Sequence, residues 1–254
     1  MKDIELGKRR ALGSAGALGD EMRRVKMGRA RSIAAAGILI VLVGALPAHA
    51  GKPAPTSSAC PATPTDLCTD YVIRDLRWAT RTIPYYINPQ DAPVGAIEDV
   101  QDSFLTWQNE LKSPQVEAAF PGDRSSISFV YMGLTTAVQD THDGINVVVF
   151  PRCSQCGASF VSRASRRSTI SEFEIVVNAT YQWQTDLSCP THDCGAYDLQ
   201  GIVTHEVGHV LDLYHPGDAR ASALTMYPGG VPNDMSKRDL GAGDILGLRK
   251  AYPL

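Results

Sequence analysis

The order of apolar and polar residues predicts alternating strands and helices over most of the chain beyond residue 80. Ile83–Asn88 reads as a strand, and Gly95–Leu111 sets Ile97, Val100, Phe104, Leu105, Trp107 and Leu111 at helical spacing, a face fit for burial. Ser126–Tyr131 and Asn146–Phe150 are β-rich runs, with Asp143-Gly144 as a turn between them. Ala158–Arg163 and Glu174–Asn178 complete a predicted sheet. A second amphipathic helix extends from about Asp198, its N-cap, to about Leu213, with Leu199, Ile202, Val203, Val207, Val210 and Leu211 as its apolar positions. A last helix covers about Ala242–Ala251, and no internal repeat interrupts the order.

The start of the chain does not share this pattern. Arg29 and Arg31 precede the apolar run Ile33–Leu46, and Ala48-His49-Ala50 closes it with small residues, the layout of a secretory signal. The run is too short to span a bilayer comfortably, so no membrane span is expected in the mature chain. Residues 1–26 lie ahead of an ordinary signal, which points to Met27 or Met22 as the true start. Residues 51–71, rich in Pro, Ala, Ser and Thr, read as a linker or short pro-segment, leaving 72–254 as one folded domain.

Charge divides at the same place. Residues 1–50 carry nine of the 24 Lys/Arg and four of the 27 Asp/Glu, which leaves 15 basic and 23 acidic groups and a net charge of −8 on the rest. An acidic surface excludes an electrostatic footprint for nucleic acid. The cluster Arg163, Arg166, Arg167 is read as a water-exposed loop. Cys60, Cys68, Cys153, Cys156, Cys189 and Cys194 all follow the proposed cleavage site, and an even number in an exported chain suggests disulfides. Fifteen pairings are open; local pairing, 60 with 68, 153 with 156 and 189 with 194, is the expectation. The alternative is a second, structural zinc on Cys153, Cys156, Cys189 and Cys194.

The chemistry concentrates in His205-Glu206-Val207-Gly208-His209, followed by His215. On a helix, histidines four apart project from one face and can hold one metal ion. Glu206 stands beside them as the general base for a zinc-activated water, and His215 supplies a third ligand that leaves one zinc position open. The run His205 to His215 resembles the extended metzincin signature HExxHxxGxxH, and Ala223-Leu224-Thr225-Met226-Tyr227-Pro228 resembles the Met-turn that follows it, in its matrixin form. Arg81-Thr82-Ile83-Pro84-Tyr85-Tyr86-Ile87 is similar to the opening strand of a matrixin catalytic domain, and the segment Leu240–Leu248 to its closing helix.

The resemblance implies an α+β, metzincin-like fold: a five-stranded twisted mixed sheet with packed helices and a small C-terminal subdomain, the cleft lying between them. It implies a secreted, monomeric zinc endopeptidase acting on peptide or protein substrates. Substrate would lie extended along the edge strand Ala158–Arg163, with Met226 flooring the metal site and Tyr227 and Pro228 walling the pocket beyond the scissile bond. Asp244 resembles the closing-helix aspartate that steadies the Met-turn. Its neighbour Gly243 stands where matrixins have the aspartate that receives a freshly cut N-terminus.

Two features depart from the pattern. The glycine of the signature is Asp212, at the point where the chain must leave the helix for His215 to reach the metal; Asp tolerates positive φ better than most residues, and Pro216 argues that the helix stops by there. The stretch between His215 and Met226 is also longer than in typical matrixins. An inactive, metal-binding relative acting as an exported binding module is the alternative that Asp212 favours, and an endopeptidase of another metzincin family is a second. Pro151-Arg152-Cys153 matches a matrixin cysteine switch but follows the first strands, and is read as coincidence. His142 with Asp140 and Asp143 offers a structural metal site or, more simply, a polar turn. No loop carries a calcium signature, so structural Ca2+ has no support in the sequence.

Overall fold

The computed structural model describes residues 60–122, 125–139 and 143–254. The expected secretory signal, both candidate start sites, Asp140 and His142 lie outside the described residues. The elements run in the order β1 (Val72–Ile73), β2 (Arg77–Trp78), β3 (Thr82–Ile87), α1 (Ala96–Gln108), α2 (Pro114–Ala119), β4 (Ser128–Leu134) and β5 (Val147–Val149). They continue with β6 (Ser159–Arg166), β7 (Thr169–Val177), β8 (Trp183–Gln184), β9 (Tyr197–Asp198), α3 (Leu199–Val210), β10 (Leu213–Tyr214) and α4 (Ala242–Ala251).

The main sheet has six strands where five were expected, the extra one being the two-residue β2. β4, β3, β5 and β7 are parallel neighbours in that order. β6 runs antiparallel to β7 along its whole length, so β2 and β5 share the other edge of β7. Arg167, at φ 58°, makes the tight turn between β6 and β7. β7 begins at Thr169, five residues before the predicted strand, because its first half is paired with β6 and β2 rather than carrying an apolar run of its own. Among the described residues β6 has no other strand partner and forms an edge.

The sheet buries apolar residues on both faces at β5 and β7. Neighbouring residues of a strand point to opposite faces, so Val148 joins the main core while Val147 and Val149 pack with Val176 on the other side. The main core sets Val100, Phe104 and Trp107 of α1 and Leu199, Val203, Val207 and Val210 of α3 against Ile83, Tyr85, Ile87, Phe129 and Phe173. Phe104 stacks on Tyr85 with ring centroids 3.9 Å apart. Leu105 and Leu111, expected on the buried face of α1, are 42% and 45% exposed: Leu105 sits one residue off the stripe, and the helix ends at Gln108, before Leu111. The sequence reading also missed α2, although its signals are ordinary. Ser113 accepts the Val116 N–H at 3.3 Å and Pro114 fills the first helical position.

Two indoles hold α3 in place. Trp107 Nε1 donates to Thr204 O at 2.7 Å and Trp78 Nε1 to Val210 O at 3.0 Å. Past the end of α1, buried Glu110 accepts Arg249 Nε at 2.9 Å, tying α4 to α1. Residues 60–71, read as the end of a linker, pack on α4: Ala242 N–H donates to Asp66 O at 2.7 Å and Gly243 N–H to Cys68 O at 2.8 Å. A Cβ on Gly243 would collide with Asp70 O, so backbone occupies the space an aspartate would need.

The cysteines form three local disulfides, Cys60–Cys68, Cys153–Cys156 and Cys189–Cys194. None is free, which overturns the alternative of a second zinc on four thiolates and leaves Cys153 no thiol with which to cap a metal. Among the described residues no helix is long and apolar enough to cross a membrane.

Asp99, in the first turn of α1, is buried, and its Oδ2 has no hydrogen-bond partner among the described residues. Burial, reinforced by the nearby Asp186 carboxylate, pushes its pKa from 3.8 up to about 7. An acid that holds its proton more tightly when folded makes stability fall as pH climbs between those two values. Asp99→Asn is therefore expected to flatten this decline, leaving the melting temperature near pH 4 unchanged and raising it at pH 8 by about 2–4 °C. Melting curves across pH 4–8 that keep the wild-type slope would contradict this.

Candidate metal centre

Helix α3 is anchored at its start by Asp198, whose Oδ2 accepts the Gly201 N–H at 2.8 Å. Arg238 grips the same carboxylate in two-pronged fashion, Nη2 to Oδ1 at 2.6 Å and Nε to Oδ2 at 2.9 Å. Two turns later His205 and His209 leave the helix on one face. His205 Nδ1 lies 2.7 Å from Thr225 O and His209 Nδ1 lies 2.8 Å from Leu213 O. Donation from Nδ1 to a carbonyl leaves Nε2 as the ligating atom and fixes the ring.

The helix ends at Val210, three residues before the predicted end, because the chain reverses. Asp212 takes φ 67°, the left-handed conformation that the signature assigns to glycine. β10 then pairs antiparallel with β1, Ile73 opposite Leu213 and Val72 opposite Tyr214, and this ladder delivers His215. Its Nε2 lies 3.1 Å from His205 Nε2 and 3.1 Å from His209 Nε2. Nitrogens about 2.0–2.1 Å from a tetrahedral zinc are roughly 3.3 Å apart, so the donor set fits that ion in type and spacing. These three residues are the group among the described residues that could hold a metal.

Glu206 is buried beside them, and its Oε1 accepts the Ser159 hydroxyl of β6 at 2.6 Å. Burial pushes its pKa up to about 7, against the opposing pull of Ser159 and of the Lys237 charge. Burial likewise lowers all three imidazoles, His209 to about 4 with the Leu213 carbonyl opposing the shift. Neutral imidazole is the form that binds a metal.

The turn beneath the histidines is held from both sides. Asp244 is buried and accepts Thr225 N–H at 2.8 Å, Met226 N–H at 3.1 Å and Gly241 N–H at 2.9 Å. Lys237, also buried, donates to Thr225 O at 2.9 Å and to Tyr227 O. Met226 packs so closely on α3 that a Cβ on Gly208 would collide with its Sδ. Tyr227 leans on the small cluster of Ala221, Leu224 and the Cys60–Cys68 bridge, and Pro228 is exposed beyond it.

All the predicted ligands, together with Glu206 and Met226, thus converge, and Asp244 supports the turn as the resemblance implied. The sequence reading missed Ser159, Lys237 and Arg163. Arg163 is not in a water-exposed loop: it lies in β6 with its side chain 14% exposed, donating to His209 O at 2.7 Å and Asp212 Oδ1 at 2.8 Å. Gly208 carried a legible signal, since a glycine inside an apolar helix costs stability unless something packs against it.

No protein-family model matches the chain. Over 57 residues it is 44% identical to Metalloendoproteinase 1 of Glycine max, a match that takes in 22% of this chain and 17% of that relative.

Asp244→Ala would strand three buried N–H groups, each at about 1–3 kcal/mol. The expected cost is about 3–5 kcal/mol, a fall of roughly 10 °C in melting temperature. A shift under about 2 °C would show that the turn is held elsewhere.

Proposed function

We propose that this protein is an exported zinc endopeptidase of matrixin type, hydrolysing peptide bonds in protein substrates. The observation that carries the reading is the meeting of three Nε2 atoms beside a buried carboxylate. The 57-residue similarity to a metalloendoproteinase supports it.

His205, His209 and His215 would hold the ion. Zinc bound there supplies Lewis acidity that polarises a carbonyl and acidifies water. Glu206 takes the proton of the attacking water and passes it to the leaving amine. Ser159 orients the carboxylate, so that one oxygen faces the serine and the other is left for proton transfer. The edge of β6 that is unpaired among the described residues offers backbone donors and acceptors to an extended substrate, which gives affinity with little demand on sequence. Met226 floors the centre, and Tyr227 with Pro228 walls the pocket beyond the scissile bond.

Export agrees with the signal layout and with the three disulfides. The acidic net charge fits a soluble monomer that does not bind nucleic acid. The alternative of an inactive binding module rested on Asp212; the left-handed conformation found there supports the peptidase reading.

The test is cleavage of an unfolded protein substrate by the mature chain. Chelation should abolish it, and Glu206→Ala should slow it a hundred- to ten-thousand-fold. A folded, zinc-loaded wild type that cleaves nothing, or an Ala variant at wild-type rate, would sink the proposal.

A further inference from the structure

Asp212 does more than tolerate a backbone angle. Its carboxylate is fully buried and accepts three donors: Leu76 N–H at 2.9 Å on Oδ2, Arg163 Nη1 at 2.8 Å on Oδ1, and Arg77 Nη1 at 3.5 Å on Oδ2. Its carbonyl accepts Arg74 N–H at 3.3 Å. Arg163 in turn reaches His209 O at 2.7 Å and the Tyr214 hydroxyl. One guanidinium therefore touches the end of α3, the turn and the residue before His215. A cation at a helix C-terminus is favourably placed, and the planar fork of arginine suits three acceptors held in fixed directions.

We propose that Asp212 and Arg163 form a clamp that positions the third metal ligand by tying the turn before His215 to edge strand β6. The two residues are positioning residues: neither touches the reacting atoms. Leu213, whose carbonyl holds His209 Nδ1 at 2.8 Å, lies between the two clamped residues Asp212 and Tyr214, so loosening the clamp would release two ligands together. The clamp also joins the ligand turn to the strand on which substrate is proposed to lie. The inference rests on the zinc-peptidase reading for the identity of the ion, and its test does not depend on activity.

The discriminating variant is Asp212→Gly. If only backbone freedom mattered, glycine would hold or improve zinc binding; if the carboxylate positions the turn, glycine weakens it. Zinc affinity of the mature protein, measured by competition with a chromophoric chelator, is expected to fall about 10–100-fold in Asp212→Gly, in Asp212→Asn and in Arg163→Met. The double variant Asp212→Gly with Arg163→Met should lose little beyond the worse single one, since both remove one clamp. Thermal unfolding of each zinc-free variant identifies any that fail to fold; Asp212→Asn, of the same shape and tolerant of the turn, then decides together with Arg163→Met. Folded variants that bind zinc within twofold of wild type, or a glycine variant that binds more tightly, overturn the clamp. A wild type that binds zinc but cleaves nothing sinks the peptidase reading and leaves the clamp standing. A wild type that does not bind zinc overturns both.

Discussion

Two imidazoles on one helix face can be joined by a third from the following loop only if the chain reverses within a few residues of the helix end. The rest of the site depends on that reversal. Asp212 supplies the left-handed step, the β1–β10 ladder fixes the direction of return, and Trp78 pins the last helical carbonyl, that of Val210, from the core side. Three segments distant in sequence, residues 72–78, β6 and the continuous run from α3 to β10, meet there, so the candidate metal centre is a product of the fold rather than of the helix alone.

The floor of the centre is built on shared backbone. Thr225 O takes both the His205 imidazole and the Lys237 ammonium, while Thr225 N–H goes to Asp244. A buried carboxylate and a buried ammonium on either side of one residue stabilise each other's charge without meeting, because each also has backbone partners. Burial brings Lys237 down to about 8, with the Asp244 carboxylate opposing the shift. The helix above is thereby held at both ends: through Asp198 and Arg238 at its start, and through Arg163 at its close.

Much of this was legible in the sequence, for identifiable reasons. Histidines four apart, a neighbouring glutamate and an Asp N-cap act through local spacing, and they fell where expected. Local disulfides were readable because short separations favour them. Strand cores appeared within a few residues, but β7 was underestimated, since its first half lacks a continuous apolar run and is defined by pairing with β6 and β2. Arg163 was misjudged because three arginines near a turn look alike in sequence, while only its place in the strand register turns it inward. Ser159 and Lys237 carried no local signal. Their roles arise from contacts across 47 and 12 residues, respectively.

The contact between Met226 and Gly208 has a chemical side. A thioether readily gains an oxygen and becomes a polar sulfoxide. Here the sulfur faces a helix so near that not even a methyl group fits between them, and the residue is only 2% exposed. The same packing that brings the turn up to the histidines leaves its sulfur little contact with dissolved oxidants. The glycine in the middle of the motif thus leaves room for a methionine whose sulfur is shut away from solvent.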